Sequence, residues 1–509
     1  MRELDSCLKV DDHVQLLKRA IQFLDRSDGS LQRKAIRSGV WVGLSSAGVA
    51  VLSFIRSIVL ARLLTPEIFG LMAICSMAIR MIEIFTETGF GAALIHRQQR
   101  FEEARDTAFT LMVLRGVGLS LLACLIAPWA AAFYEQPILS SLVTVVGISL
   151  IFSGCQNINM IALQKELDFK RLTYFEQTTA VLNFGVSVGL AYALQSVWAL
   201  VYAQIASAAI SSILSFVMLP GRVRFRFDPS IAKELLHYGK FITGLAIVVF
   251  LTRELDNLAI GKLLGMDMLG YYVVAYTLAN IPSTYLSAVL AKVLFPMFSK
   301  LQNDRVALGV EYGRGMRVLA AIAVPLSVGI AVLAPEIIAV LYGPKWAAAA
   351  PPLQILAAFG GCRALWMLNG YLYNAIGKPQ IDFYVSLSRL ILMGALLYPL
   401  TVSYGILGAS VAVTLPMVLQ FLAGIAMSQR FIGVPMATVL RPCVVAMGQG
   451  AVLAAVLLGA KTFVSSGPVV SLAVLIAVGG LACLALNAHE VLVVWRSRSF
   501  RAAFAREGR

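Results

Sequence analysis

Ionisable side chains set inside long apolar stretches are the residues of this chain that could do chemistry. A charge at mid-bilayer costs about 2.5–3.5 kcal/mol on insertion scales, so each such group must face a cavity or a partner. Arg80, Glu83 and Glu87 recur at i, i+3 and i+7, which puts them on one helical face. Glu83 and Glu87 are like charges one turn apart, a pair suited to sharing a proton; a structural Arg80–Glu83 pair is the competing expectation. Arg253, Glu254 and Asp256 lie together in a second run, with Asn257 one turn from Arg253. There Asp256 can pair locally with Arg253, or meet Arg56 of an earlier run and so form a gate. In a third run Arg363, Trp366, Gly370 and Tyr373 fall at i, i+3, i+7 and i+10, with Asn369 adjacent. A guanidinium fork suits phosphate oxygens and aromatic faces suit sugar rings, so this is the expected ligand surface, with helix packing as the alternative. Arg115 and Arg389 are further candidates, while Arg62, near the end of its run, can snorkel to the interface in a structural role.

The elements that must position these groups follow from composition. Of 509 residues 59% are hydrophobic and 14% charged, with mean hydropathy +0.81, whereas a soluble domain carries about a quarter charged residues. Apolar runs at 39–63, 66–94, 106–133, 138–161, 173–194, 197–219, 239–264, 268–295, 314–342, 351–376, 382–402, 406–428, 443–460 and 468–487 give fourteen candidate spans. Most reach or exceed the roughly 20 residues that cross a bilayer. The expected fold class is therefore an all-α polytopic membrane protein. Prolines within runs, at 282, 325 and 416, should kink helices.

Charge orients the spans. With the N-terminus inside, 32 of the 42 Lys and Arg fall on the cytoplasmic side and four (Arg62, Lys262, Lys345, Lys461) on the other. Adding or losing one helix would destroy that asymmetry, so both termini are expected in the cytoplasm. External connections such as Glu135-Gln136-Pro137 are too short for a catalytic domain, which counts against a membrane-bound polymerase. The basic residues sit between apolar runs rather than on a soluble surface, so the net charge of +15 does not indicate nucleic acid. The run Arg222-Val-Arg-Phe-Arg-Phe instead suits the anionic inner leaflet, making membrane lipids a partner.

The four histidines lie in or beside cytoplasmic segments, and the seven cysteines are scattered without metal-ligand spacing. There is no Walker phosphate loop, so no cofactor is expected and ATP is not the direct energy source. Coupling to H+ or Na+ would fall on Glu83, Glu87 or Asp256; flipping pulled by downstream consumption is equally open. Val10, Val14, Leu17, Ile21 and Leu24 have the spacing of an amphipathic helix, lying either on the membrane or against protein.

The chain also repeats itself. RSIVLARLLTPEIFG from Arg56 resembles DNLAIGKLLGMDMLG from Asp256, aligning Leu63-Leu64 with Leu263-Leu264 and Gly70 with Gly270. Two pseudo-symmetric six-helix lobes plus two C-terminal helices follow, a transporter plan with the substrate between halves. The corresponding division is a tail (1–37), a first lobe (38–220), a loop (221–238), a second lobe (239–428), two further helices (429–487) and a basic tail (488–509).

These segments resemble a known family. VLARLLTPEIFGL (59–71), LQKELDFKRL (163–172), LGYYVVAY (269–276), VLFPMFSKLQND (293–304) and LYGPKWAAAAPPLQIL (341–356) are similar, in order and spacing, to the Wzx-type polysaccharide flippases. That branch of the multidrug/oligosaccharidyl-lipid/polysaccharide exporter superfamily includes the colanic acid exporters. The resemblance covers most of the chain, although the polar N-terminal extension is longer than the family usually shows. It implies a V-shaped central cavity and alternating access. It implies as cargo an undecaprenyl-diphosphate-linked oligosaccharide, moved across a bacterial inner membrane for exopolysaccharide, lipopolysaccharide or capsule synthesis. Polysaccharide polymerase and chain-length machinery would be partners. A cation-coupled drug antiporter of the same superfamily is the alternative.

Overall fold

The computed structural model describes residues 31–85, 101–165, 168–219, 221, 223–463 and 468–496. The segment from Val10 to Leu24, Glu87 and the tail beyond Arg496 lie outside them. The described backbone is helical almost throughout and contains no strand. Lipid offers no partners to N–H and C=O groups, so a chain this apolar must satisfy them inside its own helices.

The first lobe holds α1 (Leu31–Leu63), α2 (Pro66–Phe85), α3 (Phe101–Tyr134), α4 (Ile138–Gly154), α5 (Asn159–Lys165), α6 (Phe169–Leu194) and α7 (Val197–Met218). The second holds α8 (Pro229–Leu263), α9 (Met266–Ala279), α10 (Ile281–Lys300), α11 (Arg305–Val332), a short α12 (Ala334–Ile337), α13 (Ala350–Ala375) and α14 (Pro379–Ile432). Two more helices, α15 (Met436–Phe463) and α16 (Pro468–Arg496), follow. Helix ends carry the signals their residues suggest: Asp228 accepts from the Ser230 and Ile231 amides at 2.9 and 3.3 Å, and Asp304 from those of Val306 and Ala307 at 3.1 and 3.0 Å. Stretches such as Pro468–Leu486, of mean hydropathy 2.7, are long and apolar enough to span a bilayer by themselves.

Two departures from the expected spans have local causes. The run 138–161 divides at Cys155–Ile158, where the Ser212 hydroxyl donates to the Cys155 carbonyl and the Asn157 amide donates to Ser215. The run 268–295 breaks at Asn280, with Pro282 opening α10 rather than bending it. In α14 the chain reverses at Gly405 (φ 58°, ψ −139°), in the gap expected between the runs 382–402 and 406–428, while Pro325 and Pro416 both lie inside helices. A Cβ on Gly408 would lie 1.8 Å from the Leu400 carbonyl, so the chain doubles back into two antiparallel spans. Of the C-terminal helices, α15 packs on α11, and the Lys461 ammonium bridges to Glu336 at 2.8 Å and to the Val332 carbonyl at 2.7 Å.

Candidate functional site

The two copies of the repeat meet each other. Their α2 and α9 helices cross where a Cβ on Gly70 would sit 1.9 Å from the Met266 carbonyl, and one on Gly270 1.9 Å from the Pro66 carbonyl. Each glycine thus lets its partner's helix start pass at backbone distance, a reciprocal contact that closes one end of the molecule. Around it the lobes exchange further bonds. The Arg62 guanidinium donates to the carbonyls of Leu341 at 2.8 Å and of Val340. Arg62 was expected to snorkel; the carbonyls freed in the irregular 338–342 turn of the other lobe capture it instead. In return Lys345 donates to the Arg62 and Leu64 carbonyls at 2.9 and 2.8 Å, and the fully buried Trp346 indole to Ala61 at 2.8 Å. Phe69 meets Trp346 edge-on at 5.1 Å. Beside them Lys262 bonds Glu135 at 2.7 Å, a contact whose hydrogen bond and charge hold the Glu135 carboxyl below its ordinary value.

Deeper in, charge crosses from lobe to lobe. Arg80 of α2 reaches Glu254 of α8, Nη2 to Oε1 at 2.9 Å and Nε to Oε1 at 3.0 Å. The carboxylate's other oxygen accepts from Asn257 at 2.9 Å. This bond to the opposite lobe was not expected from Arg80's spacing to Glu83 on its own helix; its carboxylate is enclosed, Glu254 being 11% exposed and Arg80 45%. Asp256 pairs with neither Arg253 nor Arg56; it accepts from the Tyr272 hydroxyl at 2.7 Å and the Asn257 amide at 2.9 Å, and is itself buried. From Tyr272 a file of rings continues through Tyr276 to Phe359, at 5.9 and 5.4 Å, and Phe359 lies under two guanidinium groups, those of Arg363 at 5.9 Å and Arg389 at 5.6 Å. Arg363 also donates to Asn280 at 2.7 Å, in the α9–α10 break. Arg253 is exposed although neighbouring Phe250 and Asp256 are buried. Among the described residues no cluster of three or more His, Cys, Asp or Glu side chains is placed to hold a metal.

The profile of a family described as polysaccharide biosynthesis protein matches residues 59–351, more than half of the chain and a span that contains the whole sealed end. The chain belongs to that family. Teichuronic acid biosynthesis protein TuaB of Bacillus subtilis (strain 168) is 27% identical over 394 residues, covering 77% of this chain and 82% of that one. Lipopolysaccharide biosynthesis protein WzxC of Escherichia coli (strain K12) is 24% identical over 392 residues, covering 76% and 78%. Among solved structures, lipid II flippase MurJ in an inward closed conformation aligns with TM-score 0.70 at 14% identity, over 91% of this chain and 100% of that one. An outward-facing multidrug resistance MATE transporter of the MOP superfamily aligns with TM-score 0.52 at 16% identity, over 81% and 98%. This member of the polysaccharide biosynthesis family thus has the fold of polytopic membrane transporters.

Within this family member the expected ligand face of α13 divides. Arg363 turns toward α9 and the ring file, whereas Trp366, Asn369 and Tyr373 are buried inside the second lobe. Asn369 accepts from the Tyr312 hydroxyl at 2.6 Å, Tyr373 donates to the Gly424 carbonyl at 2.8 Å, and a Cβ on Gly424 would lie 2.4 Å from the Trp366 ring. Helical spacing put the three on one face, but that face packs against α11 and α14. Arg115 donates to the Glu83 backbone carbonyl at 2.9 Å and so ties α3 to α2. Arg56 lines a pocket in the first lobe, between α1 and α6. Glu254, Tyr272, Phe359 and Trp346 were assigned no role from sequence; a carboxylate in an apolar run was the signal available for the first.

Proposed function

We propose that this protein is a flippase that carries an undecaprenyl-diphosphate-linked oligosaccharide repeat unit from the cytoplasmic to the periplasmic leaflet by alternating access, in exopolysaccharide, lipopolysaccharide or capsule synthesis. The observation that carries the reading is the pairing of a reciprocally latched end with guanidinium groups gathered between and beside the lobes. In this reading the latched end is periplasmic, both termini are cytoplasmic, and the lobes are residues 38–220 and 239–428. Arg56, Arg80, Arg253 and Arg363 present charge to the anionic diphosphate, where charge-assisted bonds are strongest. A diphosphate entering beside Arg80 competes with Glu254 for it, and loss of that cross-lobe bond lets the lobes rock apart. Coupling to H+ or Na+ is assigned to Asp256, enclosed beside that bond, with Glu83 and Glu87 as the other candidates. A multidrug exporter would be expected to have a more acidic, less arginine-rich cavity. The names of relatives that act in surface-glycan synthesis, TuaB and WzxC among them, support the same cargo class.

Deletion of the gene, followed by analysis of lipid-linked intermediates, tests the reading. Complete repeat units should accumulate on the cytoplasmic face, and Arg80→Ala and Arg363→Ala should each impair export in complementation. Normal periplasmic polymer in the deletion strain refutes it.

A further inference from the structure

Between α1 and α6, inside the first lobe, lies a cavity of 510 Å³, within the range of about 300–1,000 Å³ typical of small-molecule sites. It is not part of the cross-lobe contacts. Its lining includes Arg56, Glu176, Thr179, Asn183 and the rings of Phe175 and Phe184. Arg56 has no ion pair among the described residues, and Glu176 accepts a hydrogen bond from the Ser45 hydroxyl. Thr179 Oγ1 and Asn183 Oδ1 are enclosed and have no hydrogen-bond partner among the described residues. Orphaned polar atoms are costly and call for an explanation, and two on successive turns of one helix face, both at one cavity, share a single one. A threonine has two accessible rotamers in a helix, so one step turns its hydroxyl into the space.

The charges decide the ligand class. One guanidinium and one carboxylate leave the lining formally neutral, so a bare cation is opposed by Arg56 and an anion alone by Glu176. A ligand with many neutral donors and acceptors and an apolar ring face satisfies all of them: hydroxyl and amide for its hydroxyls, carboxylate and guanidinium at its edges, phenyl rings against its C–H face. We propose that this cavity is a saccharide subsite, holding the sugar attached directly to the diphosphate. The proposal rests on the flippase reading. It follows from Arg56, which lines the pocket and in the flippase reading is one of the arginines assigned to the diphosphate, as a sugar joined to phosphorus through a single oxygen requires. Thr179, Asn183 and Glu176 are then specificity-determining residues for the cargo's first sugar.

The test compares two ligands on the purified full-length protein in nanodiscs: the lipid-linked repeat unit extracted from the producing cell, and bare undecaprenyl diphosphate. Wild type should bind the glycan-bearing lipid more tightly. Thr179→Val with Asn183→Leu should weaken that ligand about tenfold, two ordinary hydrogen bonds, while leaving affinity for the bare diphosphate unchanged. Thr179→Val alone, nearly isosteric, should weaken it about threefold and keeps the test open should the double variant not fold. Equal wild-type affinity for the two lipids, or a full preference retained in the variants, overturns the subsite. Failure of wild type to bind either lipid overturns the flippase reading instead.

Discussion

Gly70→Ala probes the seal where the repeats cross. The added methyl would sit 1.9 Å from the Met266 carbonyl oxygen, at the backbone of the facing helix, where no side chain can swing aside. An ordinary carbon–oxygen contact is about 3.3–3.6 Å, so α2 and α9 must separate by more than an ångström. Overpacking of this kind costs about 1–3 kcal/mol. The cost is borne by the sealed state alone, so the balance between sealed and unsealed forms moves about 5- to 150-fold toward unsealed. Spin labels on Ile138→Cys and Met268→Cys, both exposed positions near the seal on opposite lobes, read it directly by electron–electron distance measurement in a cysteine-free background. The short-distance population should fall in Gly70→Ala and equally in Gly270→Ala, while Gly118→Ala, which meets nothing within 4 Å, should leave it unchanged. An unaltered distance distribution in both crossing variants refutes the claim that this contact holds the end shut.

Other outcomes follow from the same geometry. Arg80→Ala should destabilise more than Arg80→Ala with Glu254→Gln, since the single change strands an enclosed carboxylate; a thermal-melt cycle should give a coupling of about 1 kcal/mol, discounted for the exposure of Arg80. Trp346→Ala removes a fully buried ring and a cap on α1, so it should cost about 3–5 kcal/mol and raise the unsealed fraction in the label assay. The Glu135–Lys262 contact depends on an ionised carboxylate held below its ordinary value, so its contribution is complete at neutral pH and disappears only as pH falls through that depressed range. Label distances at pH 7.5 and 5.5 should therefore agree, whereas Lys262→Gln should broaden them at both.

The spans were legible because lipid enforces a simple rule: apolar runs long enough to cross become helices, and each of the fourteen runs is helical over most of its described length, with breaks such as those at Cys155–Ile158 and Asn280. The repeat was legible through Gly70 and Gly270, whose shared place in two similar strings marks a contact that admits no side chain. Partners across the lobes were not. Spacing along one helix shows Arg80 beside Glu83, while Glu254 lies 174 residues away and nothing in a single sequence joins them. Periodicity likewise grouped Trp366 with Tyr373 but carries no sign of which way the face turns, and Gly424, which receives both, is equally remote. The orphaned oxygens of Thr179 and Asn183 had no signal, being ordinary polar residues on an ordinary helix.

The latch between α1 and the 338–349 turn is asymmetric in a way that shapes how it can change. Its donors are three side chains, Arg62, Lys345 and Trp346, and its acceptors are backbone carbonyls on the opposite lobe. A carbonyl is present whatever residue bears it, so Ala61, Leu64, Val340 and Leu341 are free to drift in identity so long as the helix end and the turn keep their shape. Substitution can retune the volume and greasiness of that end without unfastening the latch, whose hydrogen bonds depend on the side chains of three positions. Because the acceptors are uncharged, salt should loosen this catch far less than it loosens the neighbouring Glu135–Lys262 pair.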